Sequence, residues 1–220
     1  MNDLEVHRTA DGSHTLFNSA LNESYHSMYG AVTESRHVFI QAGLLGIAKP
    51  RIDLLEVGLG TGLNMLLTWI EAERMGIAVH YTAIEPFPVS KEILEKLDHC
   101  ALLGVDERRE AFLAMMTATP NDEAYQHHWF AFNPAGGQLP IATTSYDLIY
   151  FDAFAPPVQP ELWTAEVFTR MHDVLRPGGS LVTYCAKGSV RRTMQQVGFV
   201  VERLKGPPGK QHMLRATKPK

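Results

Sequence analysis

Short runs dominated by apolar residues alternate along the chain with segments in which apolar residues recur every three or four positions. The clearest short runs cover 52–57, 79–84, 146–151 and 180–185, and the longer segments cover 63–72, 161–175 and 187–197. Short apolar runs are typical of buried parallel strands, whereas the wider spacing is typical of helices. The alternation predicts an α/β fold, in which helices cover both faces of a mostly parallel, doubly wound sheet.

The remaining elements are predicted from turn residues and shorter patterns. Residues 4–18 alternate around an Asp11-Gly12 turn and predict a β-hairpin. Thr33 is suited to cap a helix over 33–46. Further predictions are helices over 90–97 and 106–114, a third strand over 127–132, turns at 133–137 and 176–179, and a closing pair of strands over 198–203 and 211–216. Residues 1–50, the hairpin and first helix, are expected to pack on a catalytic domain that covers residues 51–220.

A glycine-rich turn follows the first apolar run. Gly58, Gly60 and Gly62 alternate between a predicted strand and a predicted helix. Without Cβ atoms, such a turn lets a ligand approach the backbone at a helix N-terminus. The dinucleotide fingerprint Gly-x-Gly-x-x-Gly would need glycine in place of Leu63. The pattern that begins at Glu56, Glu-x-Gly-x-Gly-x-Gly, is usual in S-adenosylmethionine-dependent methyltransferases. A tight strand–helix connection without a ligand is the alternative.

Two acidic residues follow later strands at the same edge of the predicted sheet. Glu85 ends the run 79–84, where a carboxylate can accept both hydroxyls of a ribose. Asp152 ends the run 146–151, and Phe154 and two prolines follow it, which places an acceptor beside a flat wall. Methyltransferases that act on amino nitrogens often carry a comparable loop. The alternatives are a solvated glutamate and an aspartate that caps a helix.

Composition narrows the protein class. The 220 residues are 45% hydrophobic, which suffices for one sizeable core. No apolar run is long enough for a membrane span, and the polar first 20 residues do not form a signal peptide. The spacing of Cys100 and Cys185 indicates neither a disulfide framework nor a zinc site. We therefore expect a cytoplasmic protein that uses no membrane and no metal, and the oligomeric state stays open.

Charge is distributed unevenly along the chain. The net charge is −4, but the residues from Thr183 onward carry +8 and the residues before them carry −12. A basic C-terminal quarter on an acidic body suggests a local anionic partner. Solvated basic faces of a helix and a hairpin explain the same charge equally well.

The chain resembles one family from about residue 4 to residue 216, and several sequence blocks carry the resemblance. The family is the methyltransferase half of the bifunctional enzyme MnmC, which matures 5-methylaminomethyl-2-thiouridine at the wobble position of tRNA. The blocks are Tyr25–Ser27, Glu34–Phe39, Glu56–Asn64, Glu85–Pro88, Phe151–Pro156, Pro160–Trp163, Arg176–Gly179 and Val190–Arg192. The stretch from Phe151 to Trp163 is more specific than the glycine turn. The resemblance implies a Rossmann-like class I methyltransferase fold with a seven-stranded sheet and an N-terminal hairpin and helix extension.

The resemblance also implies a reaction, in which a methyl group passes from S-adenosylmethionine to the primary amine of 5-aminomethyl-2-thiouridine in tRNA. Asp152 is expected to orient the amine and stabilise its developing charge, and Phe154 to stack on an extruded base. The residues expected to bind the cofactor are Tyr25, Glu56, Gly58, Gly60, Gly62, Asn64 and Glu85. Those expected to bind tRNA are Arg36, Lys187, Arg191, Arg192, Lys205 and Lys210. An acid expected near the adenine, after the third strand, is missing from 132–135.

Few residues follow Lys210, and MnmC carries a flavin-dependent oxidase domain after its methyltransferase. The chain is therefore expected to correspond to the standalone form, called MnmD, and to leave carboxymethylaminomethyl tRNA untouched, because oxidative removal of that group needs a redox cofactor. Two alternatives stay open. One is a methyltransferase for an amine of a small molecule or a protein, and the other is a module that binds S-adenosylmethionine without chemistry. The loop that contains Asp152 and Phe154 disfavours the binding module. The basic C-terminal quarter of the chain disfavours a methyltransferase for a small molecule or a protein.

Overall fold

The computed structural model describes residues 4–123, 125–137, 139 and 145–220. In that part of the chain, a three-stranded N-terminal sheet packs beside an eight-stranded sheet that has helices on both faces. The strands are β1 (Leu4–Arg8), β2 (His14–Asn18), β3 (Glu23–Ser24), β4 (Arg51–Val57), β5 (Ala78–Ile84), β6 (Tyr125–His127), β7 (Phe130–Pro134), β8 (Tyr146–Phe151), β9 (Leu175–Thr183), β10 (Val200–Lys205) and β11 (His212–Thr217). The α-helices are α1 (Ala31–Ser35), α2 (Leu63–Met75), α3 (Lys91–Leu94), α4 (His99–Leu102), α5 (Arg109–Met116), α6 (Ala165–Val174) and α7 (Gly188–Gln196).

The strand order of the large sheet is β10-β11-β9-β8-β4-β5-β7-β6. Strands β9, β8, β4, β5 and β7 are parallel, and the other three pair antiparallel at the two ends. From β4 the chain moves to β5 on one side and later returns to β8 on the other. The sheet therefore reverses its strand order at β4, and ligands of open α/β sheets bind at such a switch point, beyond the carboxyl ends of the strands.

The side chains of β4 alternate between two hydrophobic cores. Ile52 and Leu54 belong to the core that contains α2, whereas Leu55 and Val57 belong to the core that contains α6 and α7. Burial on both faces explains why this strand has an almost continuously apolar sequence. The predicted doubly wound α/β fold is confirmed.

The large sheet has one strand more than the predicted seven. The segment 127–132, predicted as a single strand, lies in a hairpin, because β6 pairs antiparallel with β7. The rings of Tyr125, His127 and Phe130 all pack on Trp69 of α2, so both arms of the hairpin carry aromatic residues. The third parallel strand is β7, which extends into the predicted turn at 133–137.

The predicted turn at 176–179 lies inside β9. Tyr146 pairs with Leu175 and Leu148 pairs with Ser180, so the intervening residues of β9 form a bulge. From this bulge, Arg176 donates hydrogen bonds to Asp53 and Asp147, each with an N–O distance of 2.7 Å. The bulge therefore ties three strands together at the edge of the sheet opposite the switch point.

The N-terminal hairpin is confirmed by β1 and β2, but the helix after it differs from the prediction. Helix α1 continues into a π-helical segment, Arg36–Gln41, and a 3₁₀ turn, Leu44–Gly46. Thr33 does not cap α1, because Gly30 holds the N-cap position and the Asp11 carboxylate accepts hydrogen bonds from the backbone and hydroxyl of Thr33. The side chains of Val38 and Phe39 join the core of the large sheet, and the division of the chain at residue 50 stays a prediction.

Three predicted helices are shorter or interrupted. The segment 90–97 contains only α3, and 106–114 begins as a 3₁₀ turn, Asp106–Arg108, before α5. The segment 161–175 begins in a 3₁₀ turn, Pro160–Trp163, and becomes α-helical at α6, where the Thr164 side chain accepts a hydrogen bond from the backbone of Val167. The helices over 63–72 and 187–197 are confirmed as α2 and α7.

Candidate cofactor and substrate pocket

A cavity opens at the carboxyl ends of β4, β5 and β8, at the switch point of the sheet. Its volume of ≈ 1360 Å³ exceeds the roughly 300–1,000 Å³ of a typical small-molecule pocket, so it has room for more than one ligand. Seven of the residues singled out from the sequence line it: Tyr25, Gly58, Gly60, Glu85, Asp152, Phe154 and Lys210. The other members of that set do not line the cavity.

The glycine turn forms one wall of the cavity. Gly58 and Gly60 have φ angles of 91° and 52°, in the left-handed region that favours glycine. A Cβ atom on Gly58 would lie 2.6 Å from the backbone oxygen of Asp152, so the turn and the Asp152 loop meet backbone to backbone. Gly62 is the left-handed N-cap of α2 and faces Met116, away from the cavity.

Glu85 holds the glycine turn from the next strand. Its carboxylate accepts hydrogen bonds from the backbone of Gly60 at 3.0 Å and of Phe87 at 2.9 Å. Burial raises the pKa of Glu85, and these backbone donors offset part of that rise. Apolar groups of Pro86, Phe87, Gly137 and Leu139 line the cavity around it. A carboxylate beside apolar walls suits a ribose attached to a flat base.

Tyr25 and Phe154 form an aromatic pair across the cavity. Their rings meet edge to face, with centroids 5.0 Å apart. The backbone of Phe154 is fixed on both sides, because its N–H donates to Gln159 and its carbonyl oxygen accepts from the indole of Trp163. Burial, together with Glu85, raises the pKa of Tyr25 to about 12, so its hydroxyl stays protonated. These rings can enclose a planar ligand.

Asp152 is one of the acidic residues that line the cavity. Its carboxylate accepts a hydrogen bond from the Asn64 amide at 2.8 Å. Burial and the neighbouring carboxylate of Glu34 raise the pKa of Asp152 to about 7, against the effect of the Asn64 hydrogen bond and the charge of Lys210. A carboxyl group with that pKa can change its protonation state near neutral pH, which suits it to accept a proton.

Glu56 and Asn64 lie behind Asp152 and do not line the cavity. Glu56 is fully buried, and it accepts hydrogen bonds from Asn64 at 2.9 Å and from the Tyr81 hydroxyl at 2.7 Å. Burial raises the pKa of Glu56 well above its usual range. The amide of Asn64 therefore bridges Glu56 and Asp152. This arrangement positions Asp152, and it differs from the direct cofactor contact expected for Glu56.

Two further lining residues, Glu34 and Tyr184, lie around Lys210. Glu34 of α1 is ion-paired with Lys210, and Lys210 lies over the ring of Tyr184 with its Nζ atom 3.9 Å from the centroid. No role was predicted for Glu34 or Tyr184 from the sequence, and Lys210 was expected to bind tRNA. The only available signal was that Glu34 begins one of the blocks that carry the family resemblance.

The remaining basic residues expected on tRNA lie outside the cavity lining. Arg36, Lys187, Arg192 and Lys205 are exposed, and Arg191 is half-buried on α7. Lys205 ends β10, five residues before Lys210. Their role in tRNA binding stays a prediction.

Two other features of the described residues bear on the class of protein. The described residues include no cluster of three or more His, Cys, Asp or Glu side chains that could hold a metal ion. None of the helices in this part of the chain has the length and apolar character that crossing a membrane requires.

Comparison with known proteins gives the class. Residues 125–219 match the family model described as S-adenosyl-L-methionine-dependent methyltransferase. The strand order of the large sheet and the glycine turn after its first parallel strand are typical of that class. The fold and the cofactor class are those of the S-adenosylmethionine-dependent methyltransferases, which the chain resembles over residues 125–219.

Within that class the chain is similar to MnmC. It is 33% identical over 217 residues to the tRNA 5-methylaminomethyl-2-thiouridine biosynthesis bifunctional protein MnmC of Cupriavidus necator, with 89% of this chain and 32% of that protein covered. The MnmC of Idiomarina loihiensis is 32% identical over 216 residues, with 89% and 36% covered. The chain thus spans about a third of the length of these relatives, and the part that it matches is their methyltransferase half.

Solved structures show the same fold. MnmC2 of Aquifex aeolicus superimposes with a TM-score of 0.76 at 24% identity, covering 100% of this chain and 73% of that one. Spermidine synthase of Thermotoga maritima gives a TM-score of 0.57 at 14% identity, covering 98% and 69%.

A first prediction concerns the cofactor. Replacing Glu85 by Ala is expected to weaken S-adenosylmethionine binding by about 1.5–3 kcal/mol, because a charge-assisted hydrogen bond is lost. Titration calorimetry on the folded variant measures the effect. The matched control is Glu92→Ala, which removes an exposed glutamate of α3. Equal affinity of the Glu85 variant and the wild type for S-adenosylmethionine would show that Glu85 does not bind the cofactor.

Proposed function

We propose that this protein transfers a methyl group from S-adenosylmethionine to the primary amine of 5-aminomethyl-2-thiouridine at the wobble position of tRNA, giving 5-methylaminomethyl-2-thiouridine. The observation that carries the proposal is Asp152, a carboxyl group with its pKa raised to about 7 that lines a cavity at the switch point. The similarity to MnmC supports the choice of substrate.

The chemistry of an amine substrate explains why this carboxyl group is needed. S-adenosylmethionine supplies an electrophilic methyl group. An alkylamine has a pKa of about 10, so at neutral pH it is mostly protonated and has no free lone pair. Asp152 can accept a hydrogen bond from the amine, orient its nitrogen and take up a proton. The amide of Asn64 holds the carboxylate in place, because it also hydrogen-bonds to the buried Glu56.

The aromatic pair supports a nucleobase substrate. Enzymes that do chemistry on a base act on single-stranded nucleic acid or extrude the base from the stack, and aromatic side chains then enclose the base. Phe154, fixed by Gln159 and Trp163, and Tyr25 provide such walls next to Asp152. The volume of the cavity, ≈ 1360 Å³, suits the cofactor together with one nucleotide.

A methyltransferase for another amine is the second candidate. Glu34 and Asp152 line the same cavity, and two carboxylates attract any small ammonium compound. The basic residues outside the cavity favour tRNA over such a compound. We also propose that the protein acts in the cytoplasm, where tRNA is modified, and the free thiols of Cys100 and Cys185 are compatible with a reducing compartment.

The test uses methyl-labelled S-adenosylmethionine and three fractions from cells that lack this modification: bulk tRNA, protein and small metabolites. We expect label in tRNA, and nucleoside analysis should identify it as 5-methylaminomethyl-2-thiouridine. Label that appears only in the protein or metabolite fraction would contradict the tRNA proposal and favour the second candidate. No transfer to any of the three would overturn both.

A second prediction concerns the basic residues of α7. Replacing Arg191 and Arg192 together by Gln should make the slope of log affinity against log salt for tRNA binding shallower by roughly 1.4–1.8, since each phosphate contact contributes about 0.7–0.9. Binding isotherms at several salt concentrations give the slope. The matched control replaces Lys91 and Lys96, two exposed lysines at α3, by Gln. A slope equal to that of the control would show that both arginines are solvated surface residues that do not contact tRNA phosphates.

A further inference from the structure

One wall of the cavity is built around a cation that belongs to the protein. Lys210 lies in the turn between β10 and β11, 176 residues away from its ion-pair partner Glu34. The side chain of Glu34 is only 8% exposed, and its second oxygen accepts a hydrogen bond from the backbone of Ser27 at 2.8 Å. Glu34 is therefore a fixed, nearly buried carboxylate that needs a positive charge beside it.

The ring of Tyr184 forms the second side of this cation site. The Lys210 Nζ atom lies 3.9 Å from the ring centroid, within the range of a cation–π interaction. The ring is held in place because its hydroxyl donates to the backbone oxygen of Ala153 at 2.9 Å. Since Ala153 follows Asp152 directly, the site lies next to the carboxylate assigned to the amine.

When Asp152 is ionised, the charges of this wall do not balance without a second cation. Glu34 and Asp152 carry two carboxyl groups, and Lys210 is the cation that lines the cavity with them in the described part of the chain. Both the ammonium of Lys210 and a protonated aminomethyl group are primary ammonium ions at the end of an alkyl carbon. A site that holds one by a carboxylate and an aromatic face has the chemistry to hold the other.

We infer that Glu34, Tyr184 and Asp152 form a binding site for the ammonium group of the substrate, and that Lys210 occupies this site as an internal substitute until the substrate displaces it. The inference rests on the proposed function for the identity of the substrate, but the site itself binds a primary alkylammonium ion whether or not that ion belongs to tRNA. Glu34 and Tyr184 are then substrate-binding residues, and Lys210 competes with the substrate.

Displacement of Lys210 by the substrate requires that its side chain can leave Glu34 while the turn that carries it stays in place. This turn touches the N-terminal segment at two other places: the backbone of Gly209 packs on the ring of Tyr29, and the backbone oxygen of Lys205 is 2.8 Å from a ring nitrogen of His37. The Lys210 side chain can therefore leave Glu34 while the turn stays docked. A released Lys210 would extend toward solvent at the rim of the cavity, where a tRNA phosphate can meet it.

The test is chemical rescue of a variant without the lysine. Lys210→Ala leaves Glu34 unpaired, so the melting temperature of the variant should fall. n-Propylammonium chloride, at a few times its Kd, should then raise that melting temperature by about 2–4 °C relative to the same concentration of potassium chloride. The wild type should not respond, because Lys210 already fills the site.

Two controls separate this result from a general effect of the ion. Lys91→Ala removes the lysine of an exposed ion pair with Glu95, whose atoms are 3.9 Å apart, and this variant should not respond. In Glu34→Gln/Lys210→Ala, the carboxylate is absent and the response should vanish. No response of Lys210→Ala, or an equal response of either control, would overturn the inference. If Lys210→Ala does not fold, Lys210→Met keeps the stem over Tyr184, and methylammonium replaces propylammonium as the probe.

Binding tests with two nucleosides distinguish this inference from the proposed function. In Lys210→Ala, 5-aminomethyluridine should raise the melting temperature more than propylammonium does, whereas 5-methyluridine, which lacks the amine, should not. Rescue by propylammonium with no effect of the aminomethyl nucleoside would support the ammonium site and contradict the proposed substrate. Rescue by neither ligand would overturn the ammonium site alone, because the tRNA methylation assay decides the substrate independently.

Discussion

Replacing Asp152 by Asn is expected to slow methyl transfer by about 10²–10⁴-fold, the usual contribution of a positioned proton acceptor. Asn keeps the shape of the side chain but can neither stabilise positive charge on the amine nor take up its proton. Cofactor affinity should change much less, because Glu85 and the glycine turn are separate from this group. Single-turnover rates with saturating S-adenosylmethionine measure the effect, and calorimetry measures cofactor affinity in parallel.

The pH dependence identifies the group responsible. In the wild type, kcat/KM should fall as pH drops below about 7, because the Asp152 carboxylate, whose pKa burial and Glu34 raise to about 7, becomes protonated. The break near pH 7 should be absent in Asp152→Asn. Asp173→Asn, which changes an exposed aspartate of α6, is the matched control and should keep both the rate and the break. A single-turnover rate of Asp152→Asn close to that of the wild type would rule out the role given to this carboxylate.

The second large effect is expected at Gly58. Gly58→Ala should lower the free energy of unfolding by about 3 kcal/mol or more, since the new Cβ atom adds left-handed strain and a steric clash. The clash is with backbone, because the Cβ would lie 2.6 Å from the oxygen and 3.0 Å from the carbonyl carbon of Asp152. The loop that carries Asp152 must move away, so cofactor binding and methylation should be lost together. Denaturant unfolding and calorimetry test both effects.

Gly104 provides the matched control for that substitution. Its φ angle is 71°, but a Cβ atom there would meet no atom within 4 Å. Gly104→Ala should therefore cost only the left-handed strain, about 1 kcal/mol, and should leave cofactor affinity unchanged. If Gly58→Ala were no more destabilising than Gly104→Ala, the close approach of the glycine turn and the Asp152 loop would not constrain the site.

Local sequence predicts the parts of the fold that depend on burial of neighbouring residues. The strands β4 and β8 are buried on both faces, so their apolar composition identifies them almost to the residue. Left-handed φ angles require glycine, so the spacing of Gly58 and Gly60 identifies the wall of the cavity. Acidic residues at the ends of parallel strands meet by the geometry of the sheet, which is why Glu85 and Asp152 could be predicted to face one crevice.

The features that sequence reasoning missed depend on partners far along the chain. Residues 127–132 have the composition of a strand, but their pairing is decided by aromatic contacts with Trp69. Thr33 looks like a helix cap, but Asp11 from the preceding hairpin takes over that role. A lysine beside Gly209 gives no indication that it reaches into the cavity, because Glu34, its partner, is supplied by α1.

The ion pair between Glu34 and Lys210 also determines when the site can form during folding. Contacts between residues so distant in sequence incur a large loop-closure entropy and form after the local ones. On the ribosome, strand β4, helix α2 and strand β5 emerge long before β11, so the glycine turn and Glu85 can assemble while the wall with Tyr184 and Lys210 does not yet exist. A nascent chain can therefore acquire the cofactor half of the cavity early, whereas the half that would receive an amine is completed only when the last hairpin docks on the first helix.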